Sequence, residues 1–413
     1  MQKLAIDGGK PVRKEPMPPR RLIGKEERAA AMRVFDDSIR TGNAFLYNGS
    51  FEQQYEKDFC AFMGGGFADG VSSGTNALFC ALGALQLDAF SEVIVPPITD
   101  PGGAMPVIFV GCVPVCADSD PRTYNTSAEQ IARRITRRTR AIVVAHIAGE
   151  PVDMAPVMAL ARKHNLFVVE DCAQSHGAKY KGKLVGTIGD IAAFSTMGGK
   201  HHSTGGQGGV VYTLNEKLHW QGKRFADRGK PFNIPKAAGN VVAGINCNLN
   251  DLSAAIGSAQ VKKLKGIVAS RRRVGEAIKK GLKNSPAVFM GWQAPGTECS
   301  YWFLRLGIRP ERLRVDKARF CEALCAEGIP AGASYRHIPG EAPWFRNQAT
   351  FGKSRFPWSC SDYKGPRRPV YHFPNAIKAT DAHFSVSVHE NYTDREVRDI
   401  LAAIRKVEQA YLI

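Results

Sequence analysis

Val168–Ser195 reads VVEDCAQSHGAKYKGKLVGTIGDIAAFS, and Lys200 follows within FSTMGGKHHSTGGQGG (Phe194–Gly209). The apolar run that begins at Phe167 ends on the acidic pair Glu170-Asp171, so a carboxylate stands at the end of a buried strand. An acid in that position must be paired or protonated to offset its desolvation. Lys200 lies in a glycine-flanked loop. A buried carboxylate and a loop lysine are the two groups that pyridoxal phosphate chemistry asks of a protein. The acid keeps the pyridine nitrogen protonated, so that the ring draws electrons, and the lysine holds the cofactor as a Schiff base and moves the proton. Asp171 and Lys200 are the candidates for these roles. The ordinary alternatives are an ion pair to arginine for either acid and a solvated surface position for the lysine.

Outward from this block, short Val- and Ile-rich runs alternate with helix-length segments: SEVIVPP, AMPVIFVGCVPVCAD, TRAIVVAHIAG, PVMALARKHNLFVVEDCAQ, DIAAFSTMGGK and GGVVYTL. That alternation specifies an α/β fold with a mostly parallel central sheet covered by helices on both faces. Ligands bind beyond the carboxyl ends of such strands, where Ser73-Gly74-Thr75, Glu170-Asp171 and Ser195 fall. Upstream, GKEERAAAMRVFDDSI and FEQQYEKDFCAFMG have apolar side chains at helical spacing on either side of a glycine-containing turn. After Gly244 a long helical segment leads into a mixture of short strands and terminal helices. The expected division is a large unit over residues 1–262, including a proline-rich N-terminal arm, and a smaller α+β unit over residues 263–413.

The chain has 413 residues, 44% hydrophobic and 23% charged, which suits a folded globular protein of two domains. No apolar stretch is long enough for a membrane span, and the N-terminus has no signal-peptide core, so a cytoplasmic protein is expected. Ten scattered cysteines include no CxxC pair. Cys112/Cys116 and Cys321/Cys325 lack the partners a metal site needs, so buried free thiols and no metal are expected. The net charge of +18 concentrates in runs such as RRITRRTR (Arg133–Arg140) without interleaved aromatics. That pattern argues against nucleic acid and for a field that draws in anionic small molecules.

SGTNAL (Ser73–Leu78) enters a helix through Ser, Gly and Thr, whose free backbone donors and hydroxyls suit a phosphate, although the same residues are ordinary helix caps. Gly74, Thr75 and Asn76 are therefore candidate cofactor contacts. Ser195 offers a further hydroxyl, and Gln174 could bond the ring hydroxyl oxygen.

SGTNAL, EVIVPP, PVCADSDPRTYN, AIVVAHIAGEPVDM, the block Val168–Ser195, Lys200, GGQGG and LNDLSAAIGSAQVKKL together resemble, in order and over nearly the whole chain, the DegT/DnrJ/StrS sugar aminotransferases. The resemblance implies the fold-type I architecture of pyridoxal phosphate transferases and a homodimer with a shared active site. It implies transfer of an amino group from glutamate or glutamine to a keto-sugar, nucleotide-linked or phosphorylated, or to a keto-cyclitol, with pyridoxamine phosphate as intermediate. It places the Schiff base on Lys200, the ring-nitrogen partner on Asp171, a ring-hydroxyl contact on Gln174, phosphate contacts on Gly74, Thr75 and Ser195, and a contact to the neighbouring subunit's phosphate on Asn246.

Four departures stand out. Asp100, in VPPITD, occupies the place of the ring-stacking aromatic. Asn246-Cys247-Asn248 replaces Asn-Tyr-Arg and so removes an arginine that could hold a donor carboxylate. GGQGG is one residue longer than the usual GEGG. His201-His202 follows the lysine, and a branch of the family uses a histidine at the lysine position for pyridoxamine phosphate-dependent sugar dehydration. Counting forward from Ser195 keeps Lys200 in that position, while counting back from the glycines would put His201 there. A dehydratase using His201, or a regulatory protein without catalysis, are the alternative readings. Asp100, His146, His201, Arg228, Tyr335, His337 and His389 are the candidate substrate residues.

Overall fold

The computed structural model describes residues 2–413. Seven strands form its main sheet: β1 Phe67–Val71, β2 Glu92–Val95, β3 Val113–Cys116, β4 Thr139–Ala145, β5 Phe167–Asp171, β6 Ile191–Ser195 and β7 Gly209–Thr213. Their spatial order is β1-β7-β6-β5-β4-β2-β3. The pairs β2–β3, β2–β4, β4–β5 and β5–β6 are parallel, whereas β7 is antiparallel to both of its neighbours. The segment Thr196–Gly208 contains no helix that could carry the chain back along the sheet, so it closes as a long hairpin and β7 returns reversed.

The period-two alternation of the strands sorts side chains between two cores. Val93, Val95, Val143, Val169, Ala193 and Val211 face α3 (Gly74–Ala84) and the helix Glu216–Ala226. Their neighbours Phe194, Val210 and Tyr212 face Tyr55, Phe59 and Met63 of α2 (Ser50–Met63), which follows α1 (Lys25–Thr41), and the long helix Asp251–Gly281. Ile94, Ile142, Val144 and Val168 meet the helix Met154–His164 on that same side. Both faces are thus covered, and the carboxyl ends of β4, β5 and β6 are left to carry the polar groups.

A second sheet of four antiparallel strands, in the order Val288–Met290, Phe303–Ile308, His383–Ser387 and Ala331–Gly332, packs with the terminal helix Asp394–Tyr411. The expected boundary at 262/263 falls inside the unbroken helix Asp251–Gly281. The N-terminal arm, grouped on sequence with the large unit, packs instead on this second core. Leu4 is buried among its residues, Glu327 accepts the N–H groups of Ala5 and Val12, and Arg13 pairs with Glu396 and Asp399. The reason is a contact remote in sequence, which a proline-rich segment does not announce. No helix among the described residues is long and apolar enough to cross a membrane.

Candidate active site

At the end of β5 the alternation sends the two acids in opposite directions. Glu170 points into the protein, where its carboxylate accepts from His146 Nε2 at 3.0 Å and from the N–H groups of Gly186, Ile188 and Gly189 at 2.9, 2.8 and 2.6 Å. Burial alone would push this carboxyl up, but the bonds from His146, Gly186 and Gly189 outweigh it and hold the group below its ordinary value. His146 also accepts the Val152 N–H at 3.0 Å through Nδ1 and is fully enclosed. It braces the strand end and does not reach the cleft.

Asp171 points the other way. Its Oδ1 accepts the Ala173 N–H at 3.0 Å, and this is the carboxylate's one hydrogen bond among the described residues. Burial raises its pKa, while the Ala173 bond and the charge of Lys200 pull it back. Asp171, Ser73, Gly74, Thr75, Asp100, Gly102, Ser195, Lys200 and Gln207 line a common cleft of about 260 Å³.

Lys200 enters this cleft as a buried amine with no hydrogen-bonded partner among the described residues. Burial lowers its pKa to about 8, against the opposing pull of Asp171 and Asp100. Its Nζ lies 3.8 Å from the centroid of the Trp302 indole. Trp302 is fixed at three points: Nε1 donates to the Gly199 carbonyl at 2.9 Å, its N–H donates to Ala148 at 2.9 Å, and its carbonyl accepts from Arg271 at 3.2 Å. Sequence reading missed this residue, because SYWFL (Ser300–Leu304) reads as an ordinary strand start.

At the amino end of α3, Ser73 Oγ caps the helix by accepting the Asn76 N–H at 3.0 Å. The N–H groups of Gly74 and Thr75 have no partner among the described residues, and they sit at the positive end of the helix dipole beside the hydroxyls of Thr75 and Ser195. A side chain at position 74 would force a shift, since its Cβ would stand 2.5 Å from that of Ser195. The Asn76 side chain turns aside to Ser72 Oγ at 2.8 Å.

Gln174 sits outside the cleft lining, accepting the Ala148 N–H at 2.8 Å and donating to Tyr335 Oη at 2.6 Å. The other residues singled out on sequence do not converge here. His201 is fully buried, with Nε2 on the Ser300 carbonyl at 3.1 Å and Nδ1 without a partner among the described residues, and it does not line the cleft. Arg228 pairs with Asp227 and Tyr47, and His389 bonds the Pro18 carbonyl. Asn246 accepts from Asn248, and His337 lines a neighbouring cavity. Asp100 does reach the cleft, with Oδ1 on the Gly102 N–H at 2.9 Å.

Free N–H groups and hydroxyls at one end, a half-buried carboxylate lacking a cation, and a buried unpaired amine make a donor set that fits pyridoxal phosphate. The fold and this site define a transferase of the fold-type I kind. The family model described as the DegT/DnrJ/EryC1/StrS aminotransferase family matches residues 25–405, and the chain belongs to that family. It is 36% identical over 268 residues to GDP-perosamine synthase of Escherichia coli O157:H7, covering 65% of this chain and 72% of that one. It is 30% identical over 417 residues to the putative L-glutamine:3-amino-2,3-dideoxy-scyllo-inosose aminotransferase of Streptoalloteichus tenebrarius, covering 98% of each. Among solved structures, the aminotransferase from Psychrobacter cryohalolentis superposes with a TM-score of 0.85 at 28% identity, over 96% of this chain and 99% of that one.

Proposed function

We propose that this enzyme moves an amino group from glutamate or glutamine to a keto-sugar or keto-cyclitol, with Lys200 and Asp171 as its catalytic residues. The observation that carries the reading is that these two groups share one cleft and that neither makes an ion pair there among the described residues. Pyridoxal phosphate, when bound, supplies an electron sink and carries the amino group between the two substrates.

Asp171, whose Oδ2 has no hydrogen bond among the described residues, would pair with a ring N–H⁺, offsetting the cost of its partial burial. Gly74 and Thr75 N–H, with the hydroxyls of Thr75 and Ser195, would hold the phosphate. Gln174 Nε2 keeps a second hydrogen after serving Tyr335 and can donate it to a ring oxygen. Lys200, with its pKa near 8, has a sizeable neutral fraction at physiological pH. It can therefore take a proton from the donor's α carbon and return one to the acceptor. His201, with Nε2 on the Ser300 carbonyl, lies outside the cleft lining, which favours Lys200 for this work.

The same reading makes the protein cytoplasmic and a homodimer. Asn246, exposed in the single chain, then reaches the phosphate held by the neighbouring subunit. The test is the absorption spectrum of cofactor-loaded protein before and after glutamate or glutamine, with Lys200→Ala as control. A visible band that disappears with donor, returns with a keto-acid and is missing in the variant is expected. A Lys200→Ala protein with full transaminase activity would sink the assignment.

A further inference from the structure

The N-terminal arm reaches the back of the Lys200 loop. Residues 9–23 form no helix or strand, so their backbone polar groups are met by side chains from elsewhere. His389 Nε2 donates to the Pro18 carbonyl at 2.8 Å, Asn391 Nδ2 to the Arg20 carbonyl, and Gln260 Nε2 to the Leu22 carbonyl at 2.8 Å. These bonds fix the arm on both sides of Arg20.

The Arg20 guanidinium joins two partners. Its Nε donates to Glu390 Oε1 at 2.8 Å, and its Nη2 donates at 3.1 Å to the carbonyl of His201, the residue after Lys200. The other oxygen of Glu390 accepts from Arg271 Nε at 2.9 Å, and Arg271 Nη1 donates to the Trp302 carbonyl at 3.2 Å. One carboxylate thus stands between two arginine forks. One fork holds the backbone next to Lys200, and the other holds the backbone of the indole on which the Lys200 amine rests.

Charge balance separates the two arginines. The Arg271 side chain is 2% exposed and has Glu390 as its counter-ion, and that pair is neutral by itself. Arg20, with its side chain 18% exposed, is a second cation on a carboxylate already matched. Neutrality does not require it. What it adds is the bond to the His201 carbonyl, made by a rigid planar fork that spans two acceptors. The glycine-rich segment Thr196–Gly208 has no helix or strand of its own to hold Lys200 in place.

We infer that Arg20 is a positioning residue for Lys200: it ties the lysine loop to Glu390 and, through Arg271, to Trp302, which makes the N-terminal arm part of the frame of the active site. The inference rests on the catalytic assignment of Lys200 above.

Arg20→Met, Arg20→Lys and Arg13→Met test this in the full chain. Arg13→Met is the control, because it strips Glu396 and Asp399 of a cation on the same arm and leaves the contacts of Arg20 in place. One readout is the pH midpoint of Lys200 acylation in the cofactor-free protein. The other is the single-turnover rate at which glutamate or glutamine bleaches the visible band of the loaded protein. Asp171 and Asp100 face the amine, with His176 and His201 coupled to it, and all four are unchanged in the three variants.

Burial is what lowers the Lys200 pKa to about 8, so a loosened loop that admits water should raise the midpoint in Arg20→Met, by about half a unit or more. The single-turnover rate should fall about tenfold while half-saturation by the donor stays within about twofold, as expected when orientation and not binding is lost. Arg20→Lys keeps the charge without the fork and should recover part of both effects. Arg13→Met should match the wild type in both readouts while unfolding at a lower denaturant concentration. A wild-type midpoint and rate in Arg20→Met, the same losses in Arg13→Met, or complete recovery in Arg20→Lys would overturn the inference. Because the midpoint is read without turnover, an active Lys200→Ala enzyme would remove the catalytic assignment and leave the positioning result standing.

Discussion

The ammonium of Lys200 rests on the face of Trp302, 3.8 Å from the ring centroid, although the two residues are remote in sequence. The contact joins the hairpin loop after β6 to the start of Phe303–Ile308 in the second sheet. Its consequence is electrostatic as well as steric, because an indole face favours the charged amine while burial disfavours it.

Trp302→Leu keeps the burial and removes the π face, so the Lys200 pKa should fall below its value of about 8. A cation–π contact of about 1 kcal/mol corresponds to somewhat less than one pKa unit. Trp302→Phe should restore most of it. The check is the pH dependence of Lys200 acylation in the cofactor-free protein, read by mass spectrometry. Asp171, Asp100, His176 and His201 are the other titratable groups coupled to this amine and are unchanged in both variants. Identical midpoints for Leu and Trp would reduce the ring to a packing role.

Gly74→Ala places a methyl 2.5 Å from the Ser195 Cβ and 2.9 Å from its Oγ. Either α3 or β6 must shift, at a cost of about 1–3 kcal/mol. Affinity for pyridoxal phosphate, measured by equilibrium dialysis, should drop at least tenfold, while Ser73→Ala, which loses only a cap, should cost about 1 kcal/mol of stability.

Glu170→Ala strips the acceptor from His146 and from the N–H groups of Gly186, Ile188 and Gly189. Leaving these buried donors unmatched should cost about 3–5 kcal/mol, measured by denaturant unfolding. A loss below about 1 kcal/mol would show that water or a rearranged loop satisfies them.

Glu52, buried beside Glu56 and Asp69 with Oε1 unpartnered, is pushed up to about 8 by burial, against the pull of the Asn48 N–H. The folded state therefore keeps this proton at pH values where the unfolded chain, near 4.5, has lost it. The stabilisation is complete below the unfolded pKa and is lost as pH rises through about 8. Glu52→Gln should flatten that decline. Unfolding midpoints at pH 5 and pH 9 are the measurement, and equal slopes for variant and wild type would refute the assignment.

Much of the cleft could be read from the chain because its parts lie where strands end. Asp171 closes an apolar run, Gly74 and Thr75 open a helix after a strand, and Ser195 ends β6, so the parallel-sheet topology alone directs them to one crevice. The histidines were less legible. His146 and His201 are polar residues near the site in sequence, but the structure commits one to Glu170 and the other to a carbonyl, contacts that periodicity does not encode.

The sequence by itself determined the fold class, the family and the crevice, since local periodicity and motif order are properties of contiguous residues. Only the tertiary structure decided which polar groups face the cleft, that Trp302 lies under Lys200, and that the N-terminal arm packs on the second core. Those outcomes depend on which distant side chains meet, and burial weighs on this by making an enclosed charge or donor without a partner costly, so that most such groups pair where the fold brings one within reach.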